Sequence, residues 1–195
     1  MNLLKYLIFI FLLMHAGQNK IRAQSSTSVE MGILLGDDGD FINNYAQGFR
    51  NGYMIGLKGD YGTYEVFISP GIYFQSFTIN NNYKKVKPFV RDERINMLKA
   101  KALLGYKTYF LTRKTKFKFG GGITANYIIN IAKNDKGVNF KTLSDTYWGY
   151  TLDTGFEIFS ISLSVSYEKP FKEILKIDDK RSYFDFLVFS LSIEL

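Results

Sequence analysis

The sequence predicts an all-β fold, an eight-stranded antiparallel up-and-down barrel. Eight segments alternate apolar and polar residues with the period of two that is typical of β-strands. The connections between these segments alternate strictly between long and short, so all long connections leave the same rim. An even number of strands joined by short turns favours a meander that closes on itself.

The predicted strands alternate most cleanly near the carboxyl end of the chain. In residues 161–168 four apolar side chains face one way, and three serines and a glutamate face the other. Pro70 interrupts the third strand, where it predicts a bulge or kink because proline cannot donate a ladder hydrogen bond. The predicted strands are residues 29–35, 49–61, 64–78, 95–110, 117–131, 147–158, 161–168 and 182–195.

The connections predict the topology. Residues 36–48, 79–94, 132–145 and 169–181 form the long ones, and residues 59–63, 111–116 and 157–160 the short ones. This asymmetry is typical of transmembrane barrels, which have short periplasmic turns and long external loops. Both chain ends then lie at the rim of the short turns.

The first residues predict a signal peptide. A short basic start, the apolar run 6–16 and the small residue Ala23 before Gln24 match a secretory leader, and the run is too short to span a bilayer. We therefore expect a leader at residues 1–23 and a barrel domain at residues 24–195. The formal net charge is +7, of which three units belong to Lys5, Lys20 and Arg22 in this leader. The modest remaining charge, with no nucleic-acid-binding motif, predicts no nucleic-acid partner.

Two missing side chains exclude most catalytic chemistry. The chain has no cysteine, and its one histidine, His15, lies in the predicted leader. A mature chain without either residue has no disulfide, no Ser–His or Cys–His machinery and no histidine-ligated metal. We expect a non-enzymatic protein with no cofactor and no metal. Carboxylate-only catalysis by Asp153 and Glu168 stays open in principle.

The apolar faces could meet either lipid or a dry core, since periodicity alone does not distinguish them. The alternative is a secreted, soluble lipocalin-like barrel whose apolar face surrounds a ligand. Membrane is favoured because the polar faces are rich in Gly, Ser and charges of both signs, which suits a confined lumen. The apolar faces also carry aromatic residues near strand ends, as interfacial girdles require. These aromatics are Tyr61, Tyr64, Phe74, Phe110, Phe117, Trp148 and Tyr183.

The polar faces predict a charge network inside the barrel. Six acids and six bases share the inward parity: Glu30, Glu65, Asp153, Glu157, Glu168, Glu194, Arg50, Lys58, Lys99, Lys101, Lys107 and Lys118. One interpretation is a salt-bridge plug, because unpaired buried charges cost several kcal/mol each. The other is a charged conduction path. The plug is favoured, because an eight-stranded barrel is only wide enough for its own side chains.

Three further motifs predict little chemistry. Basic residues cluster in two long loops and are suited to lipopolysaccharide phosphates or an acidic partner, but nearby acids indicate ordinary solvated loops. They are Lys84, Lys85, Lys87, Arg91, Arg94, Lys172, Lys176, Lys180 and Arg181. Residues 37–40 (Asp-Asp-Gly-Asp) lack the later ligands of a calcium loop. Gly120 to Gly122 precede no helix and no Gly-Lys-Ser/Thr, so close packing in a strand explains them better than a phosphate loop.

Several segments resemble the Bacteroidota outer-membrane β-barrel group, often labelled porin family or PorT-like. FISPGIYFQ at residues 67–75 resembles its Pro-containing third strand, LLGYKTYF at 103–110 its fourth and FGGGITANYI at 119–128 its Gly-rich fifth. The Ile-Pro that often opens the fourth strand is absent, and the chain ends in Leu195 rather than an aromatic residue. The resemblance implies a barrel in the outer membrane of a Gram-negative bacterium, and no substrate.

We therefore expect an integral outer-membrane barrel with a plugged lumen, whose external loops serve structural, adhesion or secretion-complex interactions. Its expected partners are outer-membrane lipid, lipopolysaccharide and possible envelope or secretion-complex proteins. The alternatives are a narrow passive, porin-like channel for small solutes and the soluble lipocalin-like barrel.

Overall fold

A computed structural model describes residues 24–37, 50–63, 65–78, 94–110, 112–133, 139–172, 174–177, 180–182 and 185–195 of the chain. Eight of its strands close into one antiparallel barrel, in the order β1-β10-β7-β6-β5-β4-β3-β2. These strands are β1 (Gln24–Asp37), β2 (Arg50–Gly62), β3 (Val66–Thr78), β4 (Arg94–Phe110), β5 (Thr112–Ile131), β6 (Thr146–Ile158), β7 (Ile161–Pro170) and β10 (Asp185–Glu194). The predicted fold class is confirmed.

The first and last barrel strands close the wall, with Val29 opposite Ile193 and Leu35 opposite Leu187. All other barrel strands pair with their neighbours in sequence. The connection between β7 and β10 carries a small hairpin that the periodicity did not predict, formed by β8 (Leu175–Ile177) and β9 (Lys180–Ser182). None of the described residues form a helix long and apolar enough to cross a membrane.

The barrel has two rims. The turn rim carries the short connections, such as Phe159 and Ser160 between β6 and β7, and the loop rim carries the long ones. The carboxyl end lies at the turn rim, where the Leu195 amide donates to the Thr27 carbonyl at 2.9 Å.

The two faces of the wall differ as the period of two requires. Ile72 is 68 % exposed on the outer face, whereas Lys99 is 1 % exposed on the inner face. Outward residues are apolar around the whole barrel, with aromatic residues towards both rims. Those at the turn rim include Tyr61, Tyr106, Phe119 and Phe156, and those at the loop rim include Tyr127, Trp148 and Phe171.

Pro70 does not form a bulge. β2 and β3 keep one register on both sides of it, with Lys58 opposite Gly71 and Tyr61 opposite Ile68. Pairing to β2 is merely interrupted for two residues, because proline has no amide hydrogen to donate.

A real irregularity lies between β4 and β5, near the loop rim. Asn96 pairs with Asn130 and Met97 with Ile128, which leaves Ile129 as an extra residue. The extra residue reverses the parity of the end of β5. Asn130, predicted to face inward, is therefore exposed. Ile128, which precedes the extra residue, keeps the inward parity of Asn126 and is buried inside the barrel.

Candidate functional site: the barrel interior

The middle of the lumen is filled by three ion pairs. Lys99 on β4 forms an ion pair with Glu168 on β7. Lys101 Nζ lies 3.3 Å from Asp153 Oδ2 and 3.1 Å from Ser166 Oγ.

The third pair joins the neighbouring strands β1 and β2 on the inner face of the wall. Lys58 Nζ lies 3.0 Å from Glu30 Oε2, which also accepts a hydrogen bond of 3.2 Å from the Tyr73 hydroxyl. Each carboxylate in this layer therefore has an ammonium partner, which offsets the cost of burying it.

A second charged layer lies below, near the turn rim. Asp60 Oδ2 accepts from Lys118 at 2.9 Å and from Lys107 at 3.4 Å. Lys118 also pairs with Glu157, whose other oxygen lies 2.7 Å from Lys116 Nζ. The Lys107 ammonium lies 4.8 Å from the centre of the Phe67 ring, a cation–π distance.

The loop end of the lumen is apolar. Phe77 and Phe186 pack edge to face with ring centres 4.9 Å apart. Around them lies one buried cluster, called the apolar plug: Leu34, Met54, Tyr73, Phe77, Ile95, Met97, Ile128, Leu143, Tyr147, Ile174, Phe186 and Val188. The lumen thus has charged layers in its middle and turn end and a hydrophobic layer at its loop end.

Two plug residues come from the long connections rather than from the wall. Leu143 and Ile174 are almost fully buried in the mouth. The Ser144 amide donates to the Ile174 carbonyl at 2.9 Å, and the Ile128 amide donates to the Asp145 carbonyl at 2.8 Å. The first contact ties the third and fourth long connections together, and the second ties the third connection to the end of β5.

A few buried polar atoms lie between the charged and apolar layers. Gln75, Asn126 and Thr151 each bury side-chain atoms that have no hydrogen-bond partner among the described residues. Asn126 is directly opposite Lys99, and Thr151 is directly opposite Glu168. They therefore adjoin the Lys99–Glu168 pair.

Most of the sequence-predicted charges meet in these layers. Nine of the residues proposed for the network are buried or nearly so and take part in ion pairs: Glu30, Lys58, Lys99, Lys101, Lys107, Lys118, Asp153, Glu157 and Glu168. Arg50 begins β2, but its side chain lies outside the described part of the structure.

Two residues that were predicted to point into the lumen, Glu65 and Glu194, do not lie there. Glu65 precedes β3 in the turn and is exposed. Glu194 ends β10 at the turn rim, is exposed, and forms no ion pair with the described residues. A charged side chain at the last position of a strand reaches water beyond the rim, so it needs no lumen partner.

Sequence reasoning also missed two members of the lower layer. Asp60 falls in both the predicted strand 49–61 and the predicted turn 59–63, and Lys116 was assigned to a turn. In the structure β2 extends to Gly62 and β5 begins at Thr112. Asp60 shares the parity of Lys58, and Lys116 that of Lys118. Extending the alternation by one step would have found both.

The basic loop clusters are only partly described. Arg94 was predicted to lie in a solvated loop, which is wrong. It begins β4, is buried, and donates to Ser76 Oγ at 3.1 Å. Lys172 is exposed next to the loop rim. Residues 84, 85, 87 and 91 and most of the Asp-rich segment 37–40 lie outside the described residues.

Neither a metal site nor a phosphate loop is formed by the described side chains. No group of three or more acidic, His or Cys residues among them is placed to hold a metal ion. Gly120 to Gly122 lie within β5, opposite β4. A Cβ atom at Gly122 would meet the backbone of Ala102, so this glycine permits close strand packing.

The fold and the interior together define a class of protein: a closed eight-stranded antiparallel barrel with an apolar exterior and ion pairs inside. No family model matches the chain, and no curated protein matches it. Solved structures do match its fold. Neisserial surface protein A is 13 % identical with a TM-score of 0.52, covering 89 % of this chain and 99 % of its own. Outer membrane protein OprG from Pseudomonas aeruginosa is 12 % identical with a TM-score of 0.46, over 90 % and 99 %.

Proposed function

We propose that the protein is a non-enzymatic, integral outer-membrane barrel that acts through its outer wall and its long loops, while its lumen stays sealed. The observation that carries this proposal is the inverted distribution of side chains. Leu57 is 55 % exposed on the outside, whereas Lys101 and Glu168 are buried inside. A belt of exposed apolar residues around a whole barrel far exceeds the apolar patches of soluble monomers.

The same distribution argues against the lipocalin-like alternative. A soluble ligand-binding barrel needs its apolar face inward and its polar face in water. In this barrel the inner face carries ion pairs, and the outer face carries apolar side chains that are compatible with the hydrocarbon of a bilayer. A closed barrel also leaves no open sheet edge, as a bilayer demands.

The filled lumen argues against the porin-like alternative. Ion pairs cross the lumen at two levels, and the apolar plug closes the loop end. Solute passage would require at least one buried charged pair to separate, which costs several kcal/mol. We propose that Glu30, Lys58, Lys99, Lys101, Lys107, Lys118, Asp153, Glu157 and Glu168 form a structural plug rather than a conduction path.

We further propose four assignments for this chain. They are a leader at residues 1–23, a mature domain at residues 24–195, the outer membrane of a Gram-negative bacterium, and membership of the PorT-like group. The proposed partners are outer-membrane lipid, lipopolysaccharide and an envelope or secretion-complex protein. The tied connections around Leu143 and Ile174 support an interaction role, because a rigid loop base lowers the entropy cost of binding.

Detergent extraction tests the proposal. We expect the protein to leave the envelope only with detergent and to show heat-modifiable migration, with the unheated barrel migrating differently from the boiled chain. Protease added to intact cells should cut the long loops and spare the short turns. A folded protein that is soluble without detergent would overturn the membrane assignment, and steady conductance in planar bilayers would overturn the sealed lumen.

A further inference from the structure

The outer wall carries a groove formed by small side chains. Ala100 is directly opposite both Ala125 and Ile72, and Ala102 is directly opposite Pro70. Ala100, Ala102 and Pro70 are exposed on the outer face. These small residues lie side by side on β3, β4 and β5, so the apolar belt is thin here.

Larger side chains form the two walls of this groove. On the loop side, Leu98 is paired with Tyr127 and Phe74. On the turn side, Leu104 is paired with Ile68. The cavity between them has a volume of about 790 Å³ and an almost entirely apolar lining that includes Trp148.

The groove leads to a basic, aromatic corner at the loop rim. Ala125 is directly opposite Trp148, whose carbonyl accepts from the Phe171 amide at 2.9 Å. The Tyr150 and Phe171 rings are 6.1 Å apart. Lys172 follows Phe171 and is exposed.

Among the described residues at this corner, Lys172 offers an exposed ammonium to a ligand. Lys169, directly opposite Tyr150, lies 3.5 Å from Asp185 Oδ2, so its charge is compensated. Lys172 forms no ion pair with the described residues. Aromatic rings beside a lysine are typical of the depth at which lipid headgroups lie.

We propose that this groove binds one acyl chain of an anionic, phosphate-bearing membrane lipid, whose headgroup lies at Lys172. The inference rests on the proposed membrane location. A lipid is favoured because the lining of the groove is almost entirely apolar, and because the exposed Lys172 follows Phe171 at the loop rim beside Trp148. An apolar groove with a cation at one end is complementary to a hydrocarbon chain that carries an anionic headgroup.

Native mass spectrometry of the purified protein in detergent tests the site. The probes are phosphatidylglycerol and phosphatidylcholine with identical acyl chains. We expect the wild type to retain one lipid and to prefer phosphatidylglycerol about threefold to fivefold, the effect of one exposed ion pair. Ala100→Leu with Ala125→Leu fills the groove and should lower retention of both lipids about tenfold.

Two further variants separate the parts of the site. Lys172→Gln should abolish the preference for phosphatidylglycerol and keep the acyl-chain binding. Val165→Leu, an outward change on β7 away from the groove, should behave as the wild type. Equal retention by the groove-filled variant and the Val165→Leu control would overturn the acyl-chain site, and an unchanged preference in Lys172→Gln would overturn the headgroup assignment.

Heat-modifiable migration is measured on every variant. This control shows that each variant barrel is folded. A loss of bound lipid in a folded variant is then caused by the change in the groove. If the wild type were folded and soluble without detergent, the proposed function itself would fail, which is a separate readout from the lipid count.

Discussion

Lys99 and Glu168 form an ion pair across the lumen, although their strands β4 and β7 are separated by β5 and β6 in the wall. Both side chains are almost completely buried. Such a pair contributes little net stability, since desolvation opposes the attraction, but removing one partner leaves an uncompensated charge.

That asymmetry predicts a double-mutant result. Lys99→Met should lower the free energy of unfolding by about 3–5 kcal/mol, because Glu168 stays buried without its cation. Lys99→Met with Glu168→Gln should recover most of the loss. Urea titration in detergent micelles measures both, with Lys172→Met as the exposed-lysine control. Additive losses in the double variant would contradict the pairing.

The apolar plug predicts a stability effect without a conductance effect. Leu143→Ala should lower the free energy of unfolding by about 2–5 kcal/mol, because it leaves a cavity among buried side chains. Planar bilayers should still show no steady current, since the charged layers below remain closed. The control is Phe140→Ala in the same turn, where the side chain is exposed. Channel activity in Leu143→Ala alone would show that the plug is the main seal.

Neighbouring glycines on β5 predict opposite outcomes. A Cβ atom at Gly122 would clash with the Ala102 backbone, whereas at Gly121 its nearest contact is 3.5 Å away, at a Leu152 methyl group. Gly122→Ala should therefore lower the yield of heat-modifiable barrel. Gly121→Ala should leave it unchanged or raise stability by about 0.4–1 kcal/mol through the unfolded chain. Equal behaviour of the two variants would contradict the described strand spacing.

The orphaned hydroxyl of Thr151 predicts a tolerated substitution. It is buried without a partner among the described residues, so Thr151→Val removes a polar group whose burial is unfavourable. We expect stability equal to the wild type or higher by up to about 1 kcal/mol in urea titration. Ser166→Ala is the matched comparison, because Ser166 is hydrogen-bonded to Lys101 and should lose stability. A loss in Thr151→Val as large as in Ser166→Ala would show that the hydroxyl is satisfied.

The strands were predictable because a wall between two environments imposes a period of two on every segment. The lower charged layer was predicted in part, since Lys107 and Lys118 lie within clear alternations, whereas Asp60 and Lys116 fall where a strand and a turn look alike. The choice of partners was not predictable: Lys99 pairs with Glu168 across the lumen, and parity gives only the direction of a side chain.

The apolar plug was harder to predict than the ion pairs. Phe186 and Val188 share the inward parity with serines, so the sequence indicates only that their side chains point into the lumen. Leu143 and Ile174 enter the mouth from connections, where no periodicity marks them. The bulge at Ile129 has no local sequence signal such as glycine, so the parity reversal that exposes Asn130 appears only in the structure.

The chain's single tryptophan tests most directly whether the outer wall of the barrel contacts lipid. Trp148 is 55 % exposed on the outer face near the loop rim. Its fluorescence is measured in bilayers with brominated acyl chains and, separately, with aqueous iodide as the quencher. Blue-shifted emission that the brominated lipid quenches and iodide barely affects is the predicted result. Emission typical of water, quenched by iodide and insensitive to the lipid bromine, would contradict it.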